Sequence, residues 1–173
     1  MIFILTGPVD SGKTTFLKRV IEELKRQKVK MDGFLSEAIV KDQEKIGYDL
    51  VDLGDGKSVP FIRKSGRQDW QRIGPYFFIP EGLSRAKQII LRSREAEILV
   101  VDEIGPLELS GQGLWDVLEQ VIFQRFQKYL FVLRKGILQD FLKMVGRIEL
   151  KIFDIKEEDV LPRLLKEIKA PRS

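Results

Sequence analysis

Gly7-Pro8-Val9-Asp10-Ser11-Gly12-Lys13-Thr14 matches the pattern G-x-x-x-x-G-K-[ST], and Thr15 follows it. Before it runs Ile2-Phe3-Ile4-Leu5, a short apolar stretch suited to a buried parallel strand. After it, Lys13 to Lys28 places Phe16, Leu17, Val20, Ile21 and Leu24 on one stripe of a helix. A strand feeding a glycine loop feeding a helix makes a phosphate cradle. The loop amides and the helix N-terminus converge on an anion. In this pattern residues 7–15 surround the phosphates, the Lys13 ammonium reaches the β- and γ-phosphates, and the Thr14 hydroxyl binds Mg²⁺.

Composition narrows the chemistry. The chain has 173 residues, 43% hydrophobic and 32% charged, enough for one well-buried core and short for two. One domain over residues 1–173 is therefore expected. Cysteine and histidine are both absent, which removes disulfides, thiolate metal sites, thiol nucleophiles and the commonest general base. What remains is carboxylates, Lys, Arg, hydroxyls, backbone amides and an oxygen-bound hard metal, the means of Mg²⁺-assisted phosphoryl transfer. Asparagine is missing too, which with abundant Lys and Glu suggests heat adaptation and excludes the Asn-Lys-x-Asp guanine-reading motif. The net charge of +4 suits a ligand the size of a nucleotide and does not indicate a nucleic-acid groove. Apolar runs are strand-length and there is no leader, so a cytoplasmic monomer without a membrane span is expected.

Further along, strands are expected at Phe34–Val40, Tyr48–Leu53 and Val59–Arg63, joined by the turns Asp42–Lys45 and Gly54–Lys57 as an antiparallel meander. A basic stretch, Arg63 to Arg72 around Trp70, reads as a phosphate-clamping lid, a solvated loop or a subunit contact. Phe77–Ile79 is expected as a strand ended by Pro80, and Glu81–Glu97 as a helix. Then follow a strand at Ile98–Val101, a helix at Gly113–Gln127 with Ser110 as its N-cap, and a strand at Tyr129–Leu133. A helix at Ile137–Met144, a strand at Ile148–Ile155 and a helix at Val160–Lys169 complete the series. The alternation implies a doubly wound α/β fold with a mainly parallel sheet, its ligand lying at the carboxyl ends of the strands.

The strand Ile98–Val101 ends in Asp102-Glu103, the Walker B arrangement. Asp102 would hold Mg²⁺ opposite Thr14, and Glu103 would orient and deprotonate a water in line with the γ-phosphate. Arg134 or Lys135, after the next strand, could stabilise transition-state charge in cis.

These residues resemble the small P-loop nucleoside-triphosphatases first described from thermophiles, the cancer-related nucleoside-triphosphatase family. The likeness rests on Gly12-Lys13-Thr14-Thr15, Gly33-Phe34 with Ser36-Glu37, Gly47-Tyr48, Leu53, Gly74 and Tyr76. It rests above all on Asp102-Glu103-Ile104-Gly105-Pro106-Leu107-Glu108-Leu109. The resemblance implies a RecA-like three-layer sandwich and slow, Mg²⁺-dependent hydrolysis of ATP, GTP and other nucleoside triphosphates to diphosphate and phosphate. It carries Lys13, Thr14, Asp102 and Glu103 into the site and gives Glu108 a place without a role. The chain departs from the family pattern at three places. Val9-Asp10 replaces Pro-Gly, Val40 replaces a hairpin Arg, and Glu157-Glu158 replaces an Asn-Arg pair. The Asp10 carboxylate is expected to repel phosphates. Two alternatives stand beside hydrolysis: a nucleotide or small-molecule kinase, and a nucleotide-binding regulatory module.

Overall fold

A computed structural model describes residues 1–124 and 127–171. Strand β1 (Ile2–Gly7) is buried along its whole length and delivers the glycine loop to helix α1 (Lys13–Arg26). The meander follows as β2 (Met31–Lys41), β3 (Glu44–Asp52), β4 (Ser58–Arg63), β5 (Arg72–Ile73) and β6 (Tyr76–Phe78). Helix α2 (Pro80–Arg92) leads to β7 (Ile98–Ile104), the short α3 (Pro106–Leu109) and α4 (Trp115–Gln124). Then come β8 (Lys128–Arg134), α5 (Leu138–Val145), β9 (Leu150–Asp154) and α6 (Val160–Lys169).

Among the described residues these strands form one sheet, in the order β5-β6-β4-β3-β2-β7-β8-β1-β9. From β2 to β9 the neighbours run parallel, and from β2 outward to β5 they run antiparallel. The expected parallel core extended by an antiparallel meander is what forms, as a mixed sheet with four parallel and four antiparallel pairings among the described residues. Alternation along the central strands divides the apolar residues between two faces. Ile2, Ile4, Leu99, Val101, Tyr129 and Phe131 pack with Ile89, Leu118 and Phe141 of α2, α4 and α5. Phe3, Leu5, Val100 and Leu130 pack on the other face with Leu17 and Leu24 of α1 and Leu164 and Ile168 of α6. Helices thus cover both sides of the sheet as a three-layer sandwich. No described helix is long and apolar enough to cross a membrane.

Several boundaries differ from expectation. Pro80 opens α2 at a first-turn position, where its missing N–H costs nothing, instead of ending a strand. That helix stops at Arg92 and passes into a 3₁₀ turn, Ser93–Glu95, so the expected extension to Glu97 does not form. Ser110 caps no following helix. Its hydroxyl donates to Leu107 O at 2.7 Å and closes α3, and α4 begins at Trp115. The expected helix to Gln127 crosses residues 125–126, which lie outside the described residues.

Candidate active site

The loop between β1 and α1 is built on two left-handed residues. Gly12, at the helix N-cap, has φ 86°, and Asp10 has φ 53°, which a short polar side chain tolerates. Gly7 is required for closeness, since a Cβ there would stand 2.9 Å from Ser11 Oγ and 3.0 Å from Ile155. Lys13 is buried, and its ammonium donates to Pro8 O at 2.8 Å, so the charge lies across the mouth of its own loop.

Opposite stands the end of β7. Its register with β8 slips between Val101 and Ile104, where three steps along β7 match two along β8. In a regular strand neighbouring side chains take opposite faces, and a bulge re-aims them. Here it falls on Asp102 and Glu103 and leaves both on the wall of one cavity, with Glu103 also bordering the space over the glycine loop. Asp102 is 1% exposed. Its Oδ2 accepts the Ser36 amide at 3.2 Å, and the Ser36 hydroxyl donates to its backbone carbonyl. Burial pushes the Asp102 carboxyl up to about 7 and Glu103 adds to the rise, while the Ser36 amide, the Thr14 hydroxyl and Lys13 pull the other way.

Asp102 Oδ1 is buried without a hydrogen-bond partner, and the Thr14 hydroxyl acts on the same carboxyl group. A buried oxygen with a free lone pair next to a hydroxyl is a donor set for a hard divalent cation. Among the described residues no cluster of three or more His, Cys, Asp or Glu side chains forms a metal cage. A cation held here would need its remaining ligands from outside these two side chains, as Mg²⁺ commonly takes them from water and phosphates.

Glu103 is partly exposed, and its Oε1 accepts Arg134 Nε at 2.6 Å. Strand β8 lies between β7 and β1, so its last residue, Arg134, emerges midway between the acids and the loop. Lys135 turns away to Asp154 at 3.0 Å. Of the two cations considered from sequence, Arg134 faces the bay. The bay has a volume of about 400 Å³, bounded by residues 9–15, Lys45, Tyr48, Glu103 and Arg134.

Other motifs resolve into local roles. Arg63 donates to Tyr48 O and pairs with Asp49, Lys64 pairs with Glu44, Arg67 with Asp69, and Arg72 bonds Gly74 O. The basic stretch therefore spends its charge within the meander, and none of these side chains borders the phosphate bay. Glu108 is 2% exposed, and its carboxylate accepts the amides of Gly105 at 2.9 Å and Leu114 at 3.2 Å. It stitches the loop after β7 to the residue before α4, even though burial holds its carboxyl above the usual range.

Sequence reasoning missed Lys45. Its ammonium lies 2.8 Å from Asp10 Oδ1, and it pairs in register with Val40 across the β2–β3 ladder. Lys45 thus places a cation beside Val40, and the Asp10 carboxylate is compensated. Each group holds the other's charge: the Lys45 bond lowers the Asp10 pKa, and the Asp10 bond raises that of Lys45. A polar turn in the sequence carries no sign of this pairing.

A loop cradle, a buried acid facing its hydroxyl and a second acid bound to an arginine are now in place, and comparison with known proteins gives them a family. The sequence profile of the family described as NTPase matches residues 2–168. The chain belongs to the NTPase family. It is thereby an enzyme of nucleoside-triphosphate hydrolysis. It is 32% identical to nucleoside-triphosphatase THEP1 of Metallosphaera sedula over 68% of this chain and 63% of that protein. It is 28% identical to the Archaeoglobus fulgidus protein of the same name over 90% of this chain and 89% of the relative. THEP1 from Aquifex aeolicus shares the fold with TM-score 0.78 at 22% identity, covering 98% of this chain and 100% of that one. The solution structure of a human cancer-related nucleoside triphosphatase superposes with TM-score 0.76 at 25% identity, covering 99% and 98%. The P-loop NTPase architecture of these structures is that of this sheet and its helices.

Proposed function

We propose that this NTPase is a Mg²⁺-dependent phosphohydrolase that cleaves the β–γ bond of ATP, GTP and other nucleoside triphosphates, giving the diphosphate and phosphate. The observation that carries this is the position of Glu103, beside the buried Asp102 and across the bay from Lys13 and Thr14. In this reading the amides of residues 7–15 and the Lys13 ammonium bind the β- and γ-phosphates and offset charge that builds on them. Thr14 and Asp102 would hold Mg²⁺, which when bound neutralises phosphate charge. Glu103 accepts the proton of the attacking water, and Arg134 both fixes the Glu103 carboxylate and stabilises the terminal phosphoryl oxygens. The lack of asparagine excludes the Asn-Lys-x-Asp guanine-reading motif, which supports broad base use. One domain spanning residues 1–173, acting as a monomer in the cytoplasm, completes the proposal. The continuous sheet and the absence of cysteine support it.

The test is phosphate release from ATP, GTP, CTP and UTP, with and without Mg²⁺, by the native chain and by Glu103→Gln. Release is expected from all four, only with the metal. The variant should lose on the order of 10²-fold or more in turnover while nucleotide affinity is kept. Turnover near the native level in Glu103→Gln removes that residue from the role of base.

A further inference from the structure

Beyond the acids, away from the glycine loop, lies a second chamber of about 210 Å³. It shares Thr14, Ser36, Tyr48, Glu103 and Arg134 with the phosphate bay, so the two spaces are continuous. It extends under the meander, where Phe61, Ile73, Pro75, Phe78 and Leu114 form its walls. Tyr48 and Tyr76 meet edge to face at 6.1 Å and stand where it joins the bay.

Three features describe what such a space accepts. Its walls away from the acids are apolar and aromatic, so they favour an apolar body over the several waters that would otherwise fill it. Its charged lining is short of cations. Arg134 is the basic residue among those that line it, and Arg134 is already paired with Glu103. Both carboxylate oxygens of Glu108, at the inner end, are taken by backbone amides. An acceptor bearing its own phosphate would find no partner here, so a second nucleotide is excluded and a neutral body fits. The volume is below the ~300–1,000 Å³ of common ligand pockets, which limits that body to about one ring. The one end with chemistry is the mouth, where a carboxylate faces the place of the terminal phosphate.

We propose that this chamber binds a small neutral alcohol with an aromatic or alicyclic body, and that the alcohol accepts the terminal phosphoryl group in place of water. The inference rests on the assignment of Glu103 as base. The alcohol oxygen forms the new bond to the γ-phosphorus, and the bond from that phosphorus to the β,γ-bridging oxygen breaks. The bonding pair leaves with the nucleoside diphosphate, and the hydroxyl proton passes to Glu103. The products are a phosphate monoester and the diphosphate.

The probe is benzyl alcohol at millimolar concentration with ATP and Mg²⁺, following ADP, free phosphate and benzyl phosphate together. ADP is expected to exceed free phosphate, with the difference recovered as benzyl phosphate. Ile73→Trp and Pro75→Trp, on the β5–β6 turn, fill the chamber from outside the catalytic groups. Each should cut benzyl phosphate by about tenfold or more while phosphate release without alcohol is unchanged. Three results overturn the proposal: no benzyl phosphate, inhibition by the alcohol without product, or ester formation undiminished in both Trp variants. Hydrolysis in the absence of alcohol is read in the same assay, so loss of the phosphohydrolase assignment shows separately as no phosphate release at all.

Discussion

Asp10 brings a negative charge to the rim of a loop built to bind phosphates, and Lys45 answers it from another element. The pair is exposed, with Asp10 at 74% and Lys45 at 33%, so it contributes little to folding. Its consequence is for binding. Without Lys45 the carboxylate faces an incoming triphosphate uncompensated. Lys45→Ala should weaken nucleotide binding about fivefold, the equivalent of ~1 kcal/mol. Adding Asp10→Asn to Lys45→Ala should restore most of that loss. Dissociation constants for the two single variants and the double variant close the cycle. Equal weakening in the Lys45 single variant and in the double variant would show that Lys45 binds phosphate directly rather than screening Asp10. At this scale the contiguous features of the site were legible, because residues 7–15 and 98–103 each carry their spacing in one run of chain. The Asp10–Lys45 contact was not, because 35 residues separate its partners and only the hairpin brings them together.

At the level of elements, β2 is the hinge of the design, parallel to β7 at residues 31–34 and antiparallel to β3 from Phe34 onward. The seam depends on Gly33. Its φ is 131°, and a Cβ would stand 1.9 Å from Val100 O. Backbone does not yield as a flexible side chain does, so Gly33→Ala must separate β2 from β7. A loss of roughly 3 kcal/mol or more in unfolding free energy is expected, or failure to fold. Denaturant unfolding of the purified variant measures it, and native-like stability would contradict the close approach. In the sequence Gly33 was one residue of a resemblance, with no sign of the strand it would touch. Element type was legible from period and apolar runs, whereas ends were set by what they meet. Pro80 started a helix because that position spares its N–H, and Ser110 closed a turn because Leu107 O lay within reach. The bulge at Asp102-Glu103 was equally hidden, since it exists only as a mismatch with β8.

Across the whole molecule, the antiparallel wing has to be fixed to the α/β core for the second chamber and the phosphate bay to keep their shape. An ion cluster around the buried Asp52, at the far ends of β2 and β3, does this. Asp52, with its side chain 1% exposed, accepts from Arg85 at 2.6 Å, from Arg92 and from the Gly54 amide at 2.8 Å. Arg92 also holds Asp32 at 2.9 Å, and Arg85 holds Asp55 at 2.8 Å. The meander and helix α2 are joined through one carboxylate. Composition alone said only that charge was plentiful, so the cluster could not be read before the fold was known. Asp52→Asn removes the carboxylate the two arginines share, but each is about a third exposed and keeps a second partner, Asp55 or Asp32, so the loss is about 1–3 kcal/mol. For a chain of this size that lowers the melting temperature by on the order of 5 °C. The effect carries a pH signature. Burial pushes the Asp52 carboxyl up, but Arg92, the Gly54 amide and Arg85 more than offset it and hold it below its ordinary value. The unfolded chain therefore takes up this proton more readily than the folded one. The stabilisation is complete above the unfolded value of about 4 and is lost as pH falls through the lower folded value. Thermal unfolding of the native chain and of Asp52→Asn should show a wide gap at neutral pH that narrows in acid. A gap of the same size at both would mean that the Asp52 charge is not what fastens the wing to the core.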